Sequence, residues 1–432
     1  MHFRISGGRP LRGSVNVNGS KNSALAIISA AGLAAQGKTI LENVPRYTDI
    51  IELTEILRML GANVSWTDDT SLEIDARGIS NHVAPYEKAR KLRGSTYIVG
   101  LLLARLRRAE VAVPGGCDIG QRPVDFHLKG FAALGAEAWV EHGSILARVP
   151  EGLRGARVYI ERASFGTTVN LMIAATLGEG STYLENAARE PEIVDLANFL
   201  TALGGTVRGA GTNTIRIEGT KSLRGARYEV IPDRLEAGTY LLAGLATGGE
   251  VHVQPVIPEH LLAVLSKLEE SGAELDVASD AITIRAPHRG RAVDIQTQPH
   301  PGFPTDLHPP FVAALSVADG ISVVQETVFD NRFNYANELV RLGASIQVER
   351  ETAIVRGVEG LSGAPVEARD IRGGAALVIA GLAARGATRV GGIQHIARGY
   401  QGMDSKLQDI GADILLVGGA VSEVEPEVPG TP

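Results

Sequence analysis

A single cysteine, Cys117, stands in a chain of 432 residues, and that scarcity excludes two classes at once. One thiol forms no internal disulfide and supplies no multi-thiolate metal site, so the chain reads neither as a stapled secreted scaffold nor as a zinc finger. Long apolar runs are missing too. The longest, "ALAIISAAGLAA", is too short to span a bilayer, and the amino-terminal "MHFRISGGRPLRGS" lacks the apolar core and cleavage site of a secretory signal. A soluble cytoplasmic protein is expected. Positive charge is in deficit: a net charge of −7 gives no general attraction to nucleic acid or to an anionic membrane. An anionic ligand would therefore need arginines and lysines gathered locally. No Walker loop, no Gly-x-Gly-x-x-Gly after a strand, no His-Glu-x-x-His, no Gly-x-Ser-x-Gly elbow and no metal-ligand cluster is present, so neither a metal nor a cofactor is expected.

Repetition is what the chain has in abundance. A helical pattern ending in glycine and a β-rich segment recurs as "LRMLGANVSW", "AALGAEAWV", "TALGGTVRG", "LEESGAELDV", "VRLGASIQV" and "LQDIGADILLV". The shared glycines, Gly61, Gly135, Gly204, Gly272, Gly343 and Gly411, lie 68 to 74 residues apart. Each is expected to end a helix in the left-handed conformation that lets the chain turn into a strand. A second element, an apolar helix followed by a small residue and a strand, recurs in "ALAIISAAGLAAQGKTILENV", "VNLMIAATLGEGSTYLENA", "YLLAGLATGGEVHVQPV" and "ALVIAGLAARGATRVGGI". Units of this length are α/β modules and not solenoid repeats. Six of them predict two domains of three: residues 21–230 form the first, with the cysteine loop, and residues 1–20 with 231–432 form the second, with a frayed tail at about 420–432.

Four stretches can carry chemistry. In "GSKNSALAI", Lys21 and Asn22 open an apolar helix, a place suited to phosphate, with a solvated lysine beside a serine cap as the alternative. In "PGGCDIGQRPVD", Pro114, Gly115 and Gly116 argue against a helix and put Cys117 in an accessible loop. Arg122 and the upstream Arg105, Arg107 and Arg108 would favour a thiolate or a bound anion there, whereas Asp118 works against one, so acid and nucleophile both stay open. In "PHPGFPTDLH" a proline-stiffened loop presents Asp306 either as a general base or as a solvated carboxylate. Arg93, Arg162, Arg372 and Arg398 are isolated in sequence; only a fold that collects them makes a phosphate and carboxylate clamp.

The segments "GSKNSAL", "PGGCDIGQRPVD", "ENAAREPEIVDLANFL", "GAGTNTIRIEG", "IPDRLEAGTY", "PHPGFPTDL", "ETVFDNRF" and "ARGY", in this order, resemble the UDP-N-acetylglucosamine 1-carboxyvinyltransferase family of the EPSP synthase superfamily. The resemblance implies an α/β fold of two domains, each of three βαβαββ-type repeats around buried helices, an inside-out α/β barrel. It also implies transfer of the enolpyruvyl group of phosphoenolpyruvate to the 3-hydroxyl of UDP-N-acetylglucosamine, with release of phosphate and no obligate protein partner. Residue by residue it puts Lys21, Asn22, Arg93, Arg122 and Arg398 at phosphoenolpyruvate. Cys117 is implied as proton donor, open to alkylation by fosfomycin, Asp306 as base and Asp370 as a second catalytic carboxylate. Arg93, Arg122, Pro123, Val124, Asp125 and Phe126, with Arg162, Ala163, Ser164, Phe165, Gly166, Asp306 and Val328, are implied for the nucleotide sugar. The chain departs from the family pattern at Asp118, Arg162 and Ala397, and in "DLHPP" and "NRFNYANEL", where "DMQ" and "NRFMH" are usual. Those departures leave room for a paralogue acting on another acceptor, such as shikimate 3-phosphate, or for a silent UDP-sugar-binding protein.

Overall fold

Among the described residues, six helices are buried on nearly every side, and the rest of the fold wraps them. The computed structural model describes residues 1–115 and 124–418. Helices at Lys21–Ala31, Tyr97–Leu106 and Phe165–Thr176 lie in one hydrophobic core, which draws on residues 24–230. Helices at Arg234–Thr247, His308–Leu315 and Ile371–Ala383 lie in another, built from residues 3–17 and 235–414. Their sequences explain the burial. The Lys21 helix is Ala, Ile, Leu and Ser after its first turn, and every residue except Asn22 is buried. A helix apolar all round is stable only inside other structure, and each Leu or Ile so placed contributes about 1.5–3 kcal/mol. Small residues bring the helices close: a Cβ on Gly100 would run into the Asn170 backbone, and Asn170 Oδ1 accepts the Gly100 N–H at 2.8 Å.

Polar caps start four of the six. Ser20, Ser164, Asp233 and Asp370 each accept a backbone N–H from the first turn of the helix they precede. The sequence pattern identified these same four and missed two. The Tyr97 helix ends at Arg107, a non-glycine residue at φ 58°, and the His308 helix is followed by four residues before Gly320.

The Tyr97 helix leads into an antiparallel sheet of Arg108–Ala112, Ser144–Arg148 and Glu137–Glu141, and the other five buried helices each feed a small mixed sheet on the outside. In the Thr39–Glu42 sheet, for example, a parallel neighbour (Arg227–Glu229) lies on one side and antiparallel Leu72–Asp75 on the other. The same parallel-then-antiparallel order recurs around Ser181–Glu185, Glu250–Gln254, Ile321–Gln325 and Ala387–Gly391. The amino-terminal strand His2–Ser6 lies between Ala387–Gly391 and Asp413–Val417, and Arg12–Asn16 pairs with Glu250–Gln254. An outer helix precedes each of Gly61, Gly135, Gly204, Gly272, Gly343 and Gly411, and all six glycines have φ between 92° and 112°. No helix of the described residues is long and apolar enough to cross a membrane.

Candidate active site

Two segments connect the cores, and they run side by side. Ser20 N donates to Ile231 O at 2.7 Å and Asp233 N to Asn18 O at 2.8 Å. Gly19, between them, has no room for a side chain, because a Cβ would collide with the Asn43 carbonyl. Asp233 joins the starts of two buried helices: Oδ1 accepts Leu235 N and Glu236 N, and Oδ2 accepts Lys21 N at 3.1 Å. The first turn of the Lys21 helix is thereby fixed at the junction.

From that position Lys21 reaches across to Asp49, with Nζ 2.7 Å from Oδ2. Asp49 belongs to the helix Thr48–Leu60 of the same core. Its other oxygen accepts Nε of Arg398 at 2.8 Å, and Arg398 is in the other core. One carboxylate therefore holds two cations contributed by opposite cores. Gln401 Oε1, three residues on, accepts the Arg46 N–H at 2.9 Å and repeats the connection. Burial pushes the Lys21 ammonium below its usual value; Asp49 resists and the charges of Arg372 and Arg398 add to the push. Burial alone would raise the Asp49 carboxyl, but Lys21 and Arg398 outweigh it and hold it low. Lys21 and Arg398 share the single charge of Asp49, with Arg372 close enough to act on Lys21, a grouping of cations that suits a phosphate or a carboxylate.

Asp306, in the second core, is linked to the same cations through Arg372, whose charge acts on Lys21. Its oxygens accept Arg332 at 2.9 Å and Arg372 at 3.2 Å. Both guanidinium groups are nearly inaccessible, at 2% and 5% exposure, while Asp306 keeps 29%. Two buried guanidinium groups thus fix a carboxylate that keeps partial exposure, and a general base toward a hydroxyl must be held in this way. Burial works against the Arg372 charge, but Tyr400, Asp306 and Asp233 prevail and raise its pKa, and its guanidinium sits 5.1 Å over the Tyr400 ring. Asp370 lies 3.6 Å from Arg332 and spends one oxygen capping the Ile371 helix.

On the far side of the opening, exposed Arg162 donates to Val328 O and, at 3.5 Å, to Thr327 O, again linking the cores. Ala163 and the cap Ser164 lead into the helix that Phe165 and Gly166 begin, a helix start of the kind that favours negative charge. Val124, Asp125 and Phe126 cap and begin the helix Asp125–Ala133. Arg93 opens the short 3-10 turn Arg93–Thr96 ahead of the Tyr97 helix, and Asn22 is half-buried in the first turn of its own. Cys117, Arg122 and Pro123 lie outside the described residues, as does the tail from 419.

The structure adds to the sequence reading at several residues. Two of the three upstream arginines are engaged with the fold: Arg105 donates to the carbonyls of Gly32 and Ala76, and Arg107 to that of Pro150. Such carbonyls, exposed at helix and strand ends, need donors, and a long guanidinium supplies them. Arg332 was missed, and Arg372 was left among scattered basic residues, because nothing in a linear charge pattern brings position 306 to positions 332 and 372. Asp49 was missed as well. Its short Thr-Asp helix start is an ordinary signal, and only the fold supplies the two cations beside it.

Known proteins similar to this chain are enolpyruvyl and carboxyvinyl transferases. Residues 5–407 match the family model described as EPSP synthase (3-phosphoshikimate 1-carboxyvinyltransferase). A protein of Symbiobacterium thermophilum named UDP-N-acetylglucosamine 1-carboxyvinyltransferase 2 is 61% identical over 96% of this chain and 98% of its own. One of Caldanaerobacter subterraneus, UDP-N-acetylglucosamine 1-carboxyvinyltransferase 3, is 49% identical over 96% and 99%. Among solved structures, the enolpyruvyl transferase NikO from Streptomyces tendae superposes with a TM-score of 0.87 at 24% identity, covering 96% of this chain and 98% of its own. EPSP synthase from Acinetobacter baumannii gives 0.74 at 19% identity, over 96% and 100%. These two likenesses bear on the fold alone.

Proposed function

The chain belongs to the UDP-N-acetylglucosamine 1-carboxyvinyltransferase family, and from that membership we propose how its residues transfer the enolpyruvyl group of phosphoenolpyruvate to UDP-N-acetylglucosamine. The activity is that of an enolpyruvyl transferase, at the first committed step of peptidoglycan precursor synthesis. We read the two cores as two domains, residues 21–230 and residues 1–20 with 231–432, which close on the substrates about the paired segments at Gly19 and Pro232. The setting is the cytoplasm, where a lone thiol stays reduced.

The observation that carries the assignment of roles is the meeting of Lys21, Arg398 and Arg372 beside Asp306. Phosphoenolpyruvate brings two anionic groups; Lys21, Asn22, Arg93, Arg122 and Arg398 receive them. The sugar 3-hydroxyl forms a bond to C2 as Asp306 takes its proton, while the methylene carbon is protonated, with Cys117 as donor. In the second half the same carbon gives up a proton, the C2–O bond to phosphate breaks, and the vinyl ether remains. Charge grows on the departing phosphate, and cations held in place before the reaction stabilise it with little reorganisation. Asp370 steadies Arg332 and shares the second proton transfer. The nucleotide lies along the opening, with its diphosphate toward Ser164–Gly166 and Arg162 and its base toward residues 122–126.

Asp306→Asn keeps a hydrogen-bond acceptor for Arg332 and Arg372 but removes the base, so kcat should fall by about 10²–10⁴, the usual worth of general base catalysis, with phosphoenolpyruvate binding retained. Steady-state phosphate release gives kcat, and calorimetry gives the binding. An Asn variant with wild-type kcat would remove Asp306 from the reaction.

A further inference from the structure

Directly behind Asp306 lies a buried carboxylate that the mechanism does not use. Glu326 is 1% exposed and accepts five hydrogen bonds. Oε1 takes Thr297 Oγ1 at 2.9 Å, Val328 N at 2.7 Å and Phe329 N at 3.1 Å. Oε2 takes Thr305 Oγ1 at 2.8 Å and His308 Nδ1 at 3.1 Å. Burial would raise its pKa, but the hydrogen bonds from His308, Thr305 and the Val328 N–H outweigh that and hold it below the usual carboxylate range. An ionised acceptor at Nδ1 requires that nitrogen to carry hydrogen, which leaves Nε2 of a neutral ring to accept the Tyr335 hydroxyl at 2.8 Å. Burial, which lowers the His308 pKa despite Glu326, keeps the ring neutral. Tyr335, His308 and Glu326 thus form one directed chain of hydrogen bonds, with Phe333 edge-on to the imidazole at 4.6 Å between ring centres.

The chain ends on two groups that face the opening. Thr305 precedes Asp306, and the Val328 N–H held by Glu326 belongs to the residue whose carbonyl accepts Arg162 from the other core. His308 and Tyr335 both fall in the segments "DLHPP" and "NRFNYANEL", where the chain departs from the family pattern. We propose that Glu326, oriented by His308 and Tyr335, is a positioning residue that holds Asp306 and the Val328 carbonyl in register for the nucleotide-sugar acceptor. The proposal rests on the reading above, in that those two groups face the acceptor and not phosphoenolpyruvate.

Three variants test it. His308→Gln keeps an N–H toward Glu326 and a carbonyl toward Tyr335; His308→Leu removes both; Tyr335→Phe removes one hydroxyl and is the variant that will fold if the Leu variant does not. The Leu variant should raise KM for UDP-N-acetylglucosamine ~10-fold, with KM for phosphoenolpyruvate changed less than ~2-fold, as loss of acceptor positioning alone requires, and Tyr335→Phe should move the same way by less. His308→Gln should stay within ~3-fold of the wild type on both, because its hydrogen bonds are restored. In parallel, amide hydrogen exchange of the free protein should speed up over residues 303–308 and 326–329 in the Leu and Phe variants and not in the Gln variant. Equal changes in both KM values, or exchange unchanged in those segments, would overturn the proposal. Exchange needs no substrate, so it decides the question even if the protein fails to turn over this substrate pair, an outcome that would count only against the reading of function.

Discussion

Asp49 carries one negative charge between two cations that belong to different cores, and its replacement exposes what those cations are for. Breaking a buried ion pair costs about 3–5 kcal/mol, to be discounted here because Arg398 is only partly buried. Asp49→Asn should therefore lower unfolding stability by roughly 2 kcal/mol in the absence of ligand. An anion that binds between Lys21 and Arg398 then relieves a repulsion that the wild type does not have. Phosphoenolpyruvate should accordingly raise the melting temperature of Asp49→Asn more than that of the wild type. Calorimetric scans with and without phosphoenolpyruvate measure this, and equal shifts would mean that the two cations do not share a ligand. At this scale the sequence was partly legible. Lys21, Asp306 and Arg398 stand in quotable motifs. Asp49 does not, and Glu326 and Arg332, although both fall within "ETVFDNRF", received no role there, because the partners Arg398, Thr305 and Asp306 that define the three roles lie 21 to 349 positions away.

At the scale of elements, the glycines that mark the repeat differ in what surrounds them. Gly343 has φ 94° and open space where a Cβ would stand, whereas a Cβ on Gly61, at φ 112°, would strike the Gly78 carbonyl. Gly343→Ala should cost about 1–2 kcal/mol, the left-handed strain alone, and Gly61→Ala distinctly more, since backbone cannot yield as a side chain does. Urea midpoints for the two variants check the order; equal losses would mean that the close approach at Gly78 carries no weight. The repeat was legible because φ > 0 selects glycine whatever the tertiary setting. Two of the six buried helices were not, because one closes on Arg107 and the other begins His-Pro-Pro, and neither end carries the usual signal. Their apolar runs resemble those of the other four only once the fold has placed them.

Across the whole molecule, stability should depend on pH through buried histidine. His127 packs against the Phe165 helix, accepts the Asn170 side-chain N–H at 3.0 Å and is pushed by burial down to about 4. In the unfolded chain it titrates near ~6.5. Between those values the unfolded chain binds a proton that the folded one refuses, so stability falls as pH falls, by up to about 1.4 kcal/mol per pH unit for this group. It is fully present above ~6.5. His127→Gln should flatten the dependence in that window by about one proton in urea titrations; an unchanged slope would show that His127 is not the group responsible.

The central claim concerns the molecule as one device: two cores joined at Gly19 and Pro232 meet at a site where, as proposed, Lys21 and Arg398 receive phosphoenolpyruvate and Asp306, held by Arg332 and Arg372, receives the acceptor. The arginines converge from positions too distant for any linear reading to join them, which is why the pocket was less legible than the fold around it. Phosphate release by the purified chain, with phosphoenolpyruvate and either UDP-N-acetylglucosamine or shikimate 3-phosphate as acceptor, tests that claim most directly. The account predicts one phosphate per nucleotide sugar consumed and none with shikimate 3-phosphate. Release with the shikimate alone, or with neither acceptor from a folded sample that binds the nucleotide sugar, would contradict it.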